Sequence, residues 1–307
     1  MKQNYVIQTR NLVKVYGEQV AVSKINLNVR RGTIYGLLGR NGAGKTTAMK
    51  MLLALTTPDQ GTIRIFGRDP FKDGEALFPR IGSLIESPGF YPNLTGTENL
   101  KIFATLRGIP KLSAVKDALE LVGLPYRDKK LFSQYSLGMK QRLAIALAVM
   151  HDPELLILDE PINGLDPIGI AEIRDLFRQF TAQGKTLLIS SHILSEMALI
   201  ADDVGIIHEG SLLEEESMET LRTKNKMYIR LAVSDAARTA RILTQIFKTE
   251  DFSVESETVL RLFDTNIPVR DITRCLVAND VAVDDAHLQE DTLEDYFRKV
   301  TGGVGIA

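Results

Sequence analysis

Residues 39–47 read Gly39-Arg40-Asn41-Gly42-Ala43-Gly44-Lys45-Thr46-Thr47. They fit G-x-x-x-x-G-K-[ST], with Gly39, Gly44, Lys45 and Thr46 in the fixed places. The flanks agree. Residues 34–38, IYGLL, form a short apolar run of the kind found in buried parallel strands. Residues 45–55 place Met49, Leu52 and Leu53 at helical spacing. Strand, glycine loop and helix together make a phosphate site. Glycines let the backbone curl until successive N–H groups converge on an anion. A helix starting at Lys45 adds the positive end of its dipole. Lys45 offers an ammonium to the β- and γ-phosphates of a triphosphate. Thr46 offers a hydroxyl to Mg²⁺, which takes few protein ligands and keeps several waters.

The whole chain sets bounds. Its 307 residues predict one large and one small domain. A content of 44% hydrophobic and 25% charged residues is that of a water-soluble globular chain. A net charge of −2 gives no electrostatic case for nucleic acid as a partner. Cys275, the single cysteine, allows no intrachain disulfide and reads as a small buried hydrophobe. The opening MKQNYVIQTRNL lacks an apolar core, so no secretory signal is expected. The longest apolar run, residues 143–150, is far short of the about twenty residues a membrane span needs. Any membrane crossing falls to another chain.

In order, residues 6–16 and 20–29 read as two strands joined at Gly17. Tyr16 closes the first; its ring could stack on a purine or pack on the core. Strands are expected at 62–66 and 81–85, followed by Glu86 and a turn-rich loop. Thr95 and Glu98 form a capping box that opens a helix. With a second helix at 113–122, the middle of the chain reads as an inserted helical subdomain, about 90–150. Ser136 is an N-cap candidate, and Gly138 leaves the first turn behind it open to an anion. Leu155-Leu156-Ile157-Leu158-Asp159-Glu160 is a buried strand with two carboxylates at its carboxyl end, the edge where open parallel sheets bind ligands. There Asp159 would hold Mg²⁺ through water, and Glu160 would orient or deprotonate an attacking water. Asp166 lies in a tight turn before a helix. His192, after the strand 185–190, could reach a γ-phosphate or cap the next helix.

This order of motifs resembles the ATP-binding subunit of ABC transporters over about residues 5–220. The resemblance implies an α/β P-loop core with an antiparallel β subdomain and the helical insert. It assigns Tyr16 to adenine stacking, residues 39–47 to Walker A, and Ser136 and Gly138 to the signature loop. Asp159 and Glu160 become Walker B with the catalytic glutamate, Asp166 the D-loop, and His192 the switch histidine. Two departures stand out. Leu137 occupies a usual signature glycine, and Glu86 replaces the usual Q-loop glutamine. Glu86, followed by Ser-Pro-Gly-Phe-Tyr, resembles the bacitracin-resistance and lantibiotic-immunity branch. That implies an ATPase subunit, with ATP and Mg²⁺ as cofactors, that exports a peptide antibiotic. Glu86 joins Thr46 and Asp159 as an expected contact of the metal. The implied partners are a second copy, closing head-to-tail over two ATP molecules, and a separate multi-span permease at the cytoplasmic face of the membrane. The alternatives are an ABC-2 exporter ATPase for a lipid, polysaccharide or drug, and a non-transport ABC ATPase. The latter usually carries two ATPase halves or a long coiled coil, and this chain has neither.

Domain boundaries are expected at 1–221 and 222–307, with residues 222–226 as a polar linker. Beyond it the pattern predicts β-α-β-β-α-β, a small ferredoxin-like unit, and a last helix at 292–300.

Overall fold

The computed structural model describes residues 4–109, 112–224 and 227–302. It begins with antiparallel pairing. β1 (Tyr5–Tyr16) turns at Gly17 into β2 (Gln19–Ile25), and β3 (Asn28–Arg30) also pairs with β1. The sequence reads 20–29 as one strand; the structure divides it. Lys24 adopts φ +51°, and the Asn26 side chain donates to Lys24 O and accepts from the Asn11 amide. That bend sends β2 along the second half of β1 and β3 along the first.

β4 (Ile34–Leu38) is buried at every residue and leads through the glycine loop into α1 (Lys45–Leu52). β5 (Gln60–Ile65) completes the antiparallel sheet against β1. A short α2 (Gly74–Leu77) precedes β6 (Ile81–Leu84). The helical insert follows as α3 (Gly96–Leu106), α4 (Leu112–Leu121) and α5 (Leu137–Val149). The capping box forms as expected: the Thr95 amide donates to Glu98 and the Glu98 amide donates to Thr95 Oγ1. Then come β7 (Leu155–Leu158), α6 (Pro167–Ala182), β8 (Thr186–Ser191), α7 (Leu194–Ile200), β9 (Asp203–His208), β10 (Ser211–Ser217) and α8 (Met218–Lys224).

The second sheet runs β10-β9-β4-β8-β7-β6, parallel except for β9–β10. β4, β7 and β8 have no exposed residue, which is why they read as apolar runs rather than alternating ones. Each fully buried Leu or Ile there contributes about 1.5–3 kcal/mol.

The chain clusters into two units. One comprises residues up to Glu219 together with the stretch from Phe297; the other is Thr220–Tyr296. The expected linker at 222–226 is helical through Lys224, as part of α8; residues 225 and 226 lie outside the described residues. In the smaller unit, β11 (Met227–Val233), α9 (Ala236–Ile242), β12 (Phe252–Val254), β13 (Val259–Leu262), α10 (Val269–Ala278) and β14 (Val283–Glu290) give the order β-α-β-β-α-β. Their sheet runs β12-β13-β11-β14, and Cys275 packs partly buried against the core beneath it. A last helix, α11, spans Leu293–Val300.

Candidate functional site

Three adjacent strands bring the expected residues together. β4, β8 and β7 run in parallel, with Leu38 beside Ser191 and Leu158 beside Ile189. Their carboxyl ends hand over to the 39–47 loop, to Ser191-His192 and to Asp159-Glu160.

The glycines of the loop are needed for space and for conformation. A Cβ on Gly39 would come within 2.4 Å of Ile207 O, and one on Gly44 within 2.4 Å of Ala21 O. Gly42 and Gly44 also adopt φ +81° and +104°, a region that only glycine enters freely. Gly44 begins α1 with no side-chain cap, so no capping side chain occupies the first-turn N–H donors. Ala43 N donates to Arg40 O, closing the curl, while Asn41 and Gly42 lie exposed at its crest and Thr47 is half-buried.

Lys45 is only 5% exposed. Its ammonium donates to Gly39 O at 2.6 Å and Arg40 O at 3.2 Å, and lies 3.1 Å from Glu160 Oε1. A buried charge is tolerable only when paired in this way. Thr46 Oγ1 donates to Asp159 Oδ2 at 2.7 Å. Ser190 Oγ donates to Asp159 Oδ1 at 2.5 Å and accepts from Glu160 N at 2.8 Å. Ser190 therefore ties the two acids together, a role the sequence did not signal beyond a small polar residue ending an apolar strand. Glu160 itself sits at φ +48°, a costly conformation for a side-chain-bearing residue that the surrounding bonds hold in place. Its Oε1 is buried and makes no hydrogen bond; the Lys45 contact is an ion pair only.

His192 Nδ1 lies 2.8 Å from Glu160 Oε2. It does not cap the next helix: α7 starts from Ile193, and the local bond there is Ile193 N to Ser191 Oγ. Tyr16 is 49% exposed, with Lys14 Nζ 5.3 Å from its ring centroid, so the ring is a free platform rather than core.

Glu86 takes φ +62°, and its exposed carboxylate accepts from Lys50 Nζ at 2.7 Å. That bond holds the Glu86 carboxyl below the usual carboxylate range. Thr46 and Asp159 thus meet as an oxygen pair, while Glu86 is directed to Lys50. Among the described residues no cluster of three or more His, Cys, Asp or Glu could hold a metal alone. A hard cation at Thr46 and Asp159 would complete its shell with phosphate oxygens and water. The glycine cradle, the buried Lys45 and the orphaned Glu160 Oε1 fit a phosphorylated ligand with such an ion.

Ser136, Gly138 and Asp166 form a second group. Ser136 caps α5 by accepting from Met139 N at 3.3 Å, and Asp166 caps α6 by accepting from Gly169 N at 2.9 Å. Leu137 packs toward Gly164, and Gly138 toward Leu165. Ser136 and Asp166 are exposed and Gly138 is half-buried. A Cβ on Gly138 would meet only Leu165, at 3.8 Å, so packing within one chain does not require glycine there.

Comparison with known proteins places this geometry. A family model described as "ABC transporter" matches residues 22–163. The chain is 52% identical to the bacitracin transport ATP-binding protein BcrA of Enterococcus faecalis, over the full length of both. It is 43% identical to the lantibiotic transport ATP-binding protein SrtF of Streptococcus pyogenes, covering 70% of this chain and 92% of that one. A solved ATP-binding subunit of an ABC transporter superposes with a TM-score of 0.64 at 29% identity, over 71% of this chain and 92% of its own. With its phosphate loop, its paired acids and a full-length relative of this similarity, the chain belongs to the ATP-binding subunits of ABC transporters and is a nucleotide-binding ATPase of that family.

Proposed function

We propose that this subunit powers removal of a peptide antibiotic of the bacitracin or lantibiotic kind from the membrane, through a separate permease. The observation that carries this reading is the full-length similarity to a bacitracin transport protein, which extends through the smaller unit as well as the ATPase unit.

Tyr16 stacks the purine, and the loop amides with Lys45 hold the β- and γ-phosphates. Thr46 and Asp159 would hold Mg²⁺, which when bound neutralises phosphate charge and supplies electrophilic assistance. Glu160 orients the attacking water and accepts its proton. His192 keeps the Glu160 carboxylate turned toward the site, and Ser190 keeps Asp159 and the Glu160 backbone in register. The Ser136–Gly138 turn and Asp166, with Ser136 and Asp166 open to solvent, serve the nucleotide of a second copy. Gly138 then answers to the partner's phosphate rather than to packing within its own chain.

No helix among the described residues is long and apolar enough to cross a membrane. Docking to the permease at the cytoplasmic face therefore needs a surface. A groove of about 1510 Å³ lies between the β6 edge and the helical insert, lined by Leu55, Phe71, Phe78, Arg107, Ile109 and Met150. Phe71 and Phe78 are 40% and 38% exposed, an apolar face suited to a permease helix.

The test is co-expression with its permease in an antibiotic-sensitive host. Resistance to bacitracin or to a lantibiotic is expected to rise, and to vanish with Phe71→Asp or Phe78→Asp while ATP binding by the isolated chain persists. Unchanged sensitivity to both classes, from an assembled and hydrolysing complex, would assign the cargo elsewhere.

A further inference from the structure

The ion pair between Lys50 and Glu86 joins two segments that the motifs treat separately. Lys50 lies one helical turn after Thr46, so both side chains share a face of α1. Its ammonium is 2.7 Å from Glu86 Oε1 and also feels the charge of Asp159 and the Tyr16 hydroxyl. The pair is partly open to water, Lys50 at 32% and Glu86 at 69% side-chain exposure. A pair this open to solvent is screened and adds little to folding, so stability does not explain it.

Charge does. The strand ends gather three carboxylates, Asp159, Glu160 and Glu86; Lys45 pairs with Glu160 and Lys50 with Glu86. Without Lys50 the Glu86 charge loses its ammonium, close to where a triphosphate must enter. A glutamine at 86 would need no such partner; an ionised glutamate can only accept and adds a negative charge.

We infer that Lys50 is a positioning residue for nucleotide: by holding Glu86 it turns and neutralises an acidic loop that would otherwise repel the polyphosphate. This deepens the nucleotide-binding reading above and rests on it. Lys50 acts on the nucleotide through Glu86, without touching it.

The test is a double-mutant cycle on the full chain, read as affinity for Mg²⁺ with a non-hydrolysable ATP analogue and for Mg²⁺ with ADP. Lys50→Met is expected to weaken the triphosphate about tenfold and the diphosphate less, since one charge is involved and solvent screens it. In the E86Q background the same change is expected to shift affinity by less than about twofold, because its target charge is gone. Lys50→Arg should restore binding, as it keeps the pair. Lys50→Gln, with melting followed by circular dichroism, substitutes if the methionine variant folds poorly. A tenfold loss that persists in the E86Q background would mean Lys50 acts on the phosphates directly, and no loss in either background would make the pair a screened surface contact; each overturns the inference. Failure of the unaltered chain to bind either nucleotide would instead overturn the site itself.

Discussion

Glu160→Gln is expected to keep nucleotide bound while stopping its turnover. Glutamine matches glutamate in size, so the strained φ of +48° and the hydrogen bond from the backbone amide to Ser190 Oγ survive. Its carbonyl can still accept from His192 at the place of Oε2. What disappears is the negative charge that attracts and deprotonates water, and with it the ion pair to Lys45. Loss of a general base typically costs ~10²–10⁴-fold in rate. Removing that charge beside the γ-phosphate also lessens repulsion, so affinity is expected to hold or rise. Phosphate release by the assembled complex and nucleotide affinity of the isolated chain measure the two effects separately. Hydrolysis at the unaltered rate would show that another group acts as the base. His192→Ala is expected to lower turnover by less, because it loosens Glu160 without removing it.

Lys45→Ala is expected to abolish tight nucleotide binding. The ammonium bonds the loop carbonyls of Gly39 and Arg40, and it is already desolvated at 5% exposure. Hydrogen bonds to charged groups contribute about 1.5–3 kcal/mol each. Losing contacts to two phosphates therefore weakens ATP by at least about 100-fold, at 1.4 kcal/mol per factor of ten. The change also strands Glu160, whose buried Oε1 has no other partner. A lower melting temperature is thus expected beside the loss of affinity. The K45A/E160Q double variant should recover the stability but not the binding. Calorimetric titration with Mg²⁺-ATP tests the second point and thermal melting the first; unchanged affinity would remove Lys45 from the phosphate site.

Much of this was legible locally. The glycine loop, the capping box at Thr95 and the apolar strand ending in Asp159-Glu160 are contiguous patterns, each set by the backbone chemistry of a few neighbouring residues. The βαββαβ order of the smaller unit was legible for the same reason, because periodicity changes at every element boundary. One reading failed because a distant group outweighed the local pattern: residues 20–29 alternate like one strand, but Asn26 reaches back to the Asn11 amide and breaks them into two.

The chemistry available to this protein is written in short stretches of chain: a phosphate loop, two acids at a strand end, a histidine and an aromatic platform, in the order of an ABC ATPase. Tertiary structure alone decided which of these groups meet. Ser190 bridges Asp159 and Glu160 because β8 lies beside β7, and His192 reaches Glu160 across the same pair of strands. Glu86 meets Lys50, 36 positions away, because its loop passes the Thr46 face of α1. The reason is physical. Strand order in a buried parallel sheet is set by the packing of faces that are apolar on both sides, and such faces carry no local code for their neighbours.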